Sequence, residues 1–563
     1  MKKDKKSEAL AQKYISFYRR AFYDKAAKKI GENIKKFDDY WEGNVNLPKS
    51  ESDPGSCVNI IHPTIEGQVA LLTEQNIGIS VLPVTPSELP YAKNAAIALD
   101  FIRERNRIVP KIEMHERRRE KYGTGIFRVT FDPDALGGAG LPIISPCENQ
   151  NVFIDPCVTD YTKINDAEFI IETMVKSVYW ARQAYGEQIA QKIRANYFPE
   201  AGEDIFDEQS AGAFGDNDKY LHMLIWTREG GILRLVEMTG CGIILSDSFE
   251  NGKENYFPGG RYPYFFTPLY RREGSIWGKG DVELLIPLQD LINDLDDQIR
   301  ISARLTGNPQ RLIATSSGID LEALTNEAGL NIPTNDINAV RNIEPPTLPA
   351  YIENRRNLAL QYEVQKISRF SDQMTGSKQA GVNTATEALA LQQGGSTGIN
   401  HKKVLLQETL GEVFSYCLEM IREYWTDDVP IRLEGRERDF IYFNGSVLKK
   451  IDNLDFTPDG AKKAGVKNAE FDVIVKVGAG MPTNKSFVYS MMLELYKAGL
   501  VTAAEVRKWL VEMMGVPVSA QMPERLPASL PIKKAAAKNA DIEGLTKGGK
   551  ASPSGLKGGE KNV

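Results

Sequence analysis

The chain has 563 residues, 42% hydrophobic and 26% charged, with a formal net charge of −6. This composition is typical of a folded protein with several domains, and the acidic balance argues against a protein that grips nucleic acid in a strongly basic cleft. Five scattered cysteines without CxxC spacing argue against a disulfide framework, and no apolar segment predicts a signal peptide or a membrane span.

The first 280 residues predict a mixed body of class α+β. Residues 7–40 form a basic and aromatic segment with helical spacing, which we interpret as an amphipathic helix docked on the body. A nucleic-acid or membrane surface is the alternative for this helix. Ser177 is a candidate N-cap for a helix that continues to about residue 195. Further helices are predicted at 59–76, 91–106 and 108–122. Strands are predicted at 77–84, 126–131, 143–144, 151–154, 169–174, 219–228, 232–238, 242–246 and 265–270.

The pattern changes after residue 280. Residues 281–305 predict one long helix without glycine, and its narrow apolar stripe favours packing against neighbouring helices. Gly307-Asn308-Pro309 ends this helix, and a segment of about forty residues with a strand at 310–314 follows. Residues 351–374 again predict a helix. The stripe of the first helix consists of Leu285, Leu288, Ile292, Leu295, Ile299 and Ser302.

The remaining third alternates helix, strand and low-complexity sequence. Residues 376–383 are polar and flexible in composition, and 384–425 are mostly helical in pattern. From about residue 523 the chain is rich in Ala, Lys, Gly, Ser and Pro, which predicts a disordered basic tail. Between these parts we predict a hairpin at 431–433 and 440–443, a strand at 471–477, and a helix pair at 486–498 and 502–514.

Motifs that carry catalytic or metal chemistry are missing from the sequence. The four histidines are scattered, and there is no HExxH, no GxxxxGK[ST] loop and no GxSxG elbow. We therefore expect neither catalytic residues nor a metal site. An enzyme with an unfamiliar site would escape this test.

Several stretches in a fixed order resemble the portal proteins of tailed bacteriophages, with the short-tailed, podovirus-type portals most similar. A helix leading to a strand that ends in proline begins this order, and Gly307-Asn308-Pro309 stands where portals leave the stem helix for the clip. The resemblance covers about residues 10–520, and the order of the stretches carries it. The stretches are NIIHPTIEG at 59–67, KYGTGIFRV at 121–129, NVFIDP at 151–156, and SIWGKG at 275–280 ahead of LQDLIN at 288–293.

The resemblance implies a cyclic ring, usually of twelve subunits, at one vertex of the capsid. It implies a function in genome packaging, head–tail joining and DNA ejection, without catalysis or cofactor. The implied parts are a wing (1–280), a stem helix (281–306), a clip (307–350), a second stem helix (351–375), a tunnel loop (376–383), a long helix and β elements returning to the wing (384–483), a crown (484–522) and a disordered basic tail (523–563).

The resemblance also implies partners and site residues. The partners are the other subunits of the ring, the terminase large subunit, head-completion or tail adaptors, major capsid and scaffolding proteins, and double-stranded DNA bound without sequence preference. The location is the virion, after assembly in the host cytoplasm and without a membrane. The candidate residues are Ser377, Lys378, Gln379, Lys402 and Lys403 for the channel, Leu288, Ile292, Leu295 and Ile299 for packing between subunits, and Gln310, Arg311 and Leu312 for the clip.

Plainer interpretations stand beside these. The three channel lysines are also what ordinary solvated surface lysines look like in sequence, and the apolar stripe also fits ordinary core packing. For the whole chain, the alternatives are another virion structural protein, such as a head–tail adaptor or a scaffold-like component, and a nucleic-acid-processing enzyme.

Overall fold

The computed structural model describes most of the first 477 residues. The chain divides into two units, Met1–Ala479 and Gly480–Val563, and all the helices and strands given below lie in the first. The predicted helix pair at 486–514, apart from two single residues, and the predicted tail lie outside the described residues. The described residues are 2–49, 55–73, 77–84, 88–193, 219–250, 252–315, 338, 340–344, 348–370, 397–432, 440–452, 465–468, 471–477, 496 and 502.

The helices of the body follow the predicted pattern with two corrections. The helix predicted from Ser177 to about residue 195 is wrong in its length, because it ends at Tyr185 before the positive φ of Gly186, and a separate short helix covers Glu187–Ala190. The predicted single helix over 7–40 is wrong, because Lys29 adopts a left-handed conformation with φ of 53° and divides the segment in two. The N-cap prediction for Ser177 is confirmed, since its side chain accepts a hydrogen bond from the backbone of Trp180. The helices are α1 (Lys2–Ala27), α2 (Ile30–Glu42), α3 (Ile61–Thr73), α4 (Leu89–Arg105), α5 (Ile108–Tyr122), α6 (Val178–Tyr185) and α7 (Glu187–Ala190).

The strands of the body form antiparallel sheets, which agrees with the predicted α+β class. The larger sheet has the strand order β4-β5-β6-β7-β8, and a second sheet has the order β3-β2-β9. The strands are β1 (Ile77–Pro83), β2 (Thr124–Asp132), β3 (Leu141–Pro146), β4 (Val152–Ile154), β5 (Phe169–Ser177), β6 (Lys219–Glu229), β7 (Ile232–Thr239), β8 (Ile244–Asp247), β9 (Tyr264–Pro268), β10 (Tyr270–Arg272) and β11 (Ser275–Lys279).

After the body come one long helix and a returning segment of two short helices separated by a π-helical turn. The predicted helix over 351–374 is wrong in its continuity: a π-helical turn interrupts it at Ala359–Glu363, and it ends at Ser368. The predicted residues beyond 370 lie outside the described part. The elements are α8 (Asp281–Gly307), β12 (Arg311–Ile313), β13 (Val340–Asn342), α9 (Ala350–Leu358), α10 (Val364–Ser368) and α11 (Thr397–Tyr424).

The last described strands return to the body. The strand β18 (Phe471–Val477) has the bounds predicted from sequence and pairs along its whole length with β1, with Ile77 opposite Val477. The predicted hairpin is confirmed as β14 (Val429–Arg432) paired with β15 (Phe440–Phe443). A further pair consists of β16 (Lys449–Asp452) and β17 (Gly465–Asn468).

Two of the apolar clusters among the described residues join most elements of the body. The larger one joins α4, α5, the β3-β2-β9 sheet and α11. In the second, α1 packs its aromatic face on the five-stranded sheet, where the rings of Phe17 and Phe169 stack with centroids 4.7 Å apart. The predicted docking of the N-terminal helix on the body is thereby confirmed for α1. None of the helices within the described ranges is long and apolar enough to cross a membrane.

Candidate functional site

A helical arm extends from the body at Asp281. We use this name for α8, the β12–β13 pair, α9, the π turn and α10. The 27 residues of α8 correspond to a length of about 40 Å. The returning helix runs antiparallel to α8, because Arg356 forms an ion pair with Asp296 while Ile367, further along, packs in the cluster built around the first turns of α8. The strand pair connects the two helices.

The base of α8 is buried inside a single chain. Leu288 is 6% exposed and Ile292 is fully buried, and both pack with side chains of α2, α3 and the returning helix. Leu295 is also buried, at 8%. The prediction that these three residues pack between subunits is therefore wrong. The stripe was correctly identified as a packing seam, but its partners are other helices of the same chain.

Ile299 lies at the edge of this seam and is half-buried. It lines a cavity of about 470 Å³ together with Val58, Arg300 and Arg356. Because Ile299 keeps exposed surface in one chain, its predicted contact with a neighbouring subunit stays a prediction. Beyond Asp296, α8 contains no buried residue, so its distal half exposes every side of the helix to some degree.

The strand pair at the far end of the arm contains two of the predicted clip residues, Arg311 and Leu312, and Gln310 directly precedes it. Arg311 lies opposite Asn342 and Leu312 opposite Arg341, and the carbonyl of Gln310 accepts a hydrogen bond of 2.7 Å from a backbone amide of the returning strand. Gln310 is exposed and Leu312 keeps 59% of its surface exposed. The strand at 310–314 is confirmed, while the contact with terminase or an adaptor stays a prediction.

The arm exposes large apolar side chains that a single chain leaves uncovered. Tyr351, Leu358 and Tyr362 are 70%, 48% and 58% exposed, and their spacing of seven and four residues places them on one face of the returning helix. A face with several exposed apolar side chains marks an interaction site more often than single exposed apolar residues do. The arm residues in this set are Ile301, Leu312, Ile343, Tyr351, Leu358 and Tyr362.

The predicted channel residues have three different outcomes, and for Lys403 the position in the channel stays a prediction. Ser377, Lys378 and Gln379 lie outside the described residues, so their position in a tunnel loop stays a prediction. The prediction for Lys402 is wrong, because its side chain is 2% exposed and forms ion pairs inside the chain. It is neither a channel cation nor a solvated surface lysine. Lys403, the next residue, is half-buried.

Lys402 occupies a polar junction between the arm and the body. Its Nζ donates to Glu120 Oε2 at 2.6 Å, to Asp281 Oδ2 at 2.7 Å and to Gln68 Oε1 at 3.0 Å. These partners belong to α5, to the first residue of α8 and to α3, while Lys402 itself belongs to α11. We call these four residues the Lys402 junction. All three ammonium hydrogens are used, and four helices meet at one cation.

Two glycines allow this close approach. A Cβ on Gly280 would lie 2.6 Å from the carbonyl oxygen of Glu120, which is closer than real Cβ contacts. Gly123 has a φ of 85°, and a Cβ there would lie 2.5 Å from the carbonyl oxygen of Gly278. The stretches at 121–129 and 275–280 therefore pack backbone against backbone, which brings Glu120 and Asp281 together. The sequence showed both stretches but not that they meet.

A second set of charges lies next to the junction on α5. Arg119 pairs with Glu116 at 2.6 Å and donates to the carbonyl oxygen of Lys402 at 3.1 Å. His115 lies 2.9 Å from Glu116 and stacks on the ring of Phe127. All three polar side chains of this set are fully buried. Such burial is tolerated because the charges are paired.

The charge balance of the junction shifts two pKa values. Burial raises the pKa of Glu120 to about 7, with Asp281 adding to the rise against the attraction of Lys402. Burial opposes the charge on Lys402, but Glu120 and Asp281 outweigh it and raise its pKa to about 12. Lys402 therefore stays charged, while Glu120 exchanges its proton near neutral pH.

Comparisons with known proteins give no family for this chain. No family model matches it, and a search of curated proteins finds no significant match. In the part of the chain that the structure describes, no three His, Cys, Asp or Glu side chains are grouped to hold a metal ion. The arm and the Lys402 junction are therefore interpreted from their own chemistry.

Proposed function

We propose that this chain is the portal protein of a tailed bacteriophage, a subunit of the ring through which DNA enters and leaves the capsid. The observation that carries the proposal is the arm: a long helix, a strand pair and an antiparallel returning helix that project from an α+β body. This is the order of stem, clip and second stem helix that the resemblance implies. The dodecameric state, the terminase contact and the virion location belong to the same proposal.

The uncovered face of the returning helix supports assembly of the chain with copies of itself. A cyclic ring has heterologous interfaces, in which one face of a subunit meets a different face of its neighbour. Tyr351, Leu358 and Tyr362 supply one apolar face, and the distal half of α8 supplies another surface around Ile301. Aromatic residues are common anchors in protein interfaces. We assign the packing between subunits to this face, in place of Leu288, Ile292 and Leu295.

The acidic composition suits a channel through which DNA slides. Basic surfaces bind DNA tightly through release of counterions, so a strongly basic lining would retard a moving duplex. The net charge of −6 makes the chain repel DNA on balance, and the burial of Lys402 removes one cation from the surface. Lys378 keeps its predicted position in the tunnel loop within this proposal.

The test is the mass and shape of the purified assembly. We expect native mass spectrometry and negative-stain images to give rings of about a dozen subunits with a central hole. The substitutions Tyr351→Ser and Tyr362→Ser together are expected to shift the population from rings to monomers. Tyr179→Ser is the matched control, because Tyr179 is 62% exposed on the body helix α6 and lies outside the arm.

The outcomes separate the proposal from its alternatives. A wild-type chain that stays monomeric at high concentration, also when it is co-expressed with a scaffolding protein, would contradict the ring. Rings that persist in the double variant would leave the ring standing and reject the assigned face. Nuclease activity in the purified chain would favour the enzyme alternative if every arm variant retained it.

A further inference from the structure

The Lys402 junction contains more buried negative charge than its cation balances. Glu120 and Asp281 are both fully buried, and one lysine pairs with both. Their second oxygens, Glu120 Oε1 and Asp281 Oδ1, are buried without a hydrogen-bond donor among the described residues. A buried carboxylate is stable only when it is paired and hydrogen-bonded, so the second carboxylate at this site lacks part of its compensation.

The other charged groups around the junction do not compensate its excess of negative charge. On α5, Arg119 is neutralised by Glu116, whose pKa is lowered although burial opposes this, chiefly because of Arg119. Burial lowers the pKa of His115, which is therefore neutral at pH 7. Tyr270 of β10 lies next to Asp281, and burial raises its pKa to about 12. Counting Lys402, Arg119, Glu116, Glu120 and Asp281, the set has a net charge of −1 when Glu120 is ionised and zero when it is protonated.

We infer that the Lys402 junction is a proton-controlled joint between the arm and the body, closed when Glu120 is protonated and loosened when Glu120 is ionised. The geometry carries this inference: Asp281 is the first residue of the arm, Glu120 lies in the last turn of the body helix α5, and Lys402 lies in the first turns of α11. Opening the joint would let water reach the second carboxylate. The position of the arm relative to the body therefore depends on one proton.

The direction of the pH effect follows from linkage. When the joint opens, Glu120 returns to an ordinary carboxyl pKa, whereas in the closed joint its pKa is raised to about 7. Between these two values the closed state binds one more proton than the open state, so opening becomes more favourable as the pH rises. From pH 5.5 to pH 8 the opening equilibrium is expected to increase by roughly tenfold or more.

This inference goes beyond the proposed function, since it concerns each chain and holds whether or not the chain forms a ring. Its test uses hydrogen exchange of the full-length protein at pH 5.5 and pH 8, read by mass spectrometry and corrected for the chemical exchange rate of each amide. We expect peptides from the start of α8 and the start of α11 to lose protection by roughly tenfold or more at pH 8. Peptides from β5 in the five-stranded sheet serve as the internal reference.

The substitution Glu120→Gln keeps the size of the side chain and removes the titration. We expect it to keep the joint closed and to abolish the pH dependence in these peptides. Glu113→Gln is the matched control, because Glu113 lies on the same helix, pairs with Arg117 and is 45% exposed. This control should retain the full pH dependence.

A second variant keeps the inference testable if Glu120→Gln does not fold. Asp281→Asn leaves one carboxylate for one lysine, so Glu120 should titrate at lower pH and the pH dependence should shrink. Wild-type protection that is the same at both pH values would overturn the inference. A Glu120→Gln protein that retains the wild-type pH dependence would overturn it as well, while the proposed ring would be unaffected.

Discussion

Two buried lysines each hold a helical part of the molecule in place, and their hydrogen-bond partners differ in charge. Lys25, on α1, is 7% exposed and donates to the backbone carbonyl oxygens of Asn149, Gln150 and Val152 at 2.5, 2.8 and 3.1 Å. Lys402 is as deeply buried but is paired with two carboxylates. The first lysine anchors a peripheral helix, and the second anchors the arm.

The difference in partners appears in the protonation of the two amines. Burial lowers the pKa of Lys25 to about 7, because carbonyl dipoles and the nearby rings of Phe153 and Trp277 supply no full negative charge. For Lys402, two carboxylates overcome the same desolvation. Burial alone therefore does not decide whether a lysine keeps its proton; the charge of its partners does.

The largest effect is expected from removing the cation of the junction. Lys402→Met leaves Glu120 and Asp281 buried without a counter-charge, which should lower the free energy of unfolding by about 3–5 kcal/mol at pH 8. Urea unfolding at pH 8 and pH 5.5 measures this loss, which should be smaller at pH 5.5 because Glu120 binds a proton there.

Two further variants test whether this loss comes from the ion pair. Adding Glu120→Gln to Lys402→Met should restore part of the stability at pH 8, since the two residues interact and their effects are not additive. Lys35→Met, at an exposed position of α2, should change the free energy of unfolding by less than about 0.5 kcal/mol. A double variant as unstable as the sum of its two single variants would argue against the ion pair.

A smaller effect is expected at Lys25, whose partners are uncharged carbonyl groups. Lys25→Met removes the donor for three carbonyl groups, which should cost about 1–3 kcal/mol of unfolding free energy at pH 9. Since the pKa of Lys25 is lowered in the folded chain, the wild-type protein gains stability as the pH rises from about 7 towards 10. The loss in the variant should therefore grow over this range. Urea unfolding at pH 7 and pH 9 checks both statements, and a loss that falls with rising pH would contradict them.

The smallest effect is expected at an ion pair with exposed partners. Arg117 forms two hydrogen bonds of 2.7 Å to Glu66 and thereby joins α5 to α3, but both side chains are about 30% exposed. Glu66→Gln should cost less than about 1 kcal/mol of unfolding free energy, and added salt should reduce the loss further. A loss as large as that of Lys402→Met would show that burial is not what separates the two sites.

The sequence predicted the elements of this fold better than their contacts. The bounds of β18 agree with the alternation of its apolar residues, and α5 ends where Gly123 adopts a left-handed conformation, as the sequence predicted. The break at Lys29 was missed because a left-handed lysine has no sequence signal of the kind that glycine gives. The π turn at Ala359–Glu363 was missed for a similar reason, since one extra residue in a turn leaves the apolar pattern nearly unchanged.

The site was predicted less well than the fold, and the reason is distance along the chain. Leu288 and Ile292 were recognised as a packing stripe, but periodicity does not say whether the partner is the same chain or a neighbour. Lys402 looked like any lysine of a polar helix, because Gln68, Glu120 and Asp281 come from three remote segments. The glycines at 123 and 280 permit the close approach of backbones, but nothing in the sequence shows that the two segments meet.

The pairing of β1 with β18 has a consequence for biosynthesis. The two strands lie about 390 residues apart in the chain, so β1 leaves the ribosome long before its partner exists. At typical rates of about 5–20 residues per second, this interval lasts roughly 20–80 s. During that time the edges of β1 have no strand from β18 to pair with, and an unpaired strand is a template for pairing with other chains. The pairing of β1 is therefore expected to form only after β18 has left the ribosome, and the yield should depend on chaperones that bind extended apolar segments.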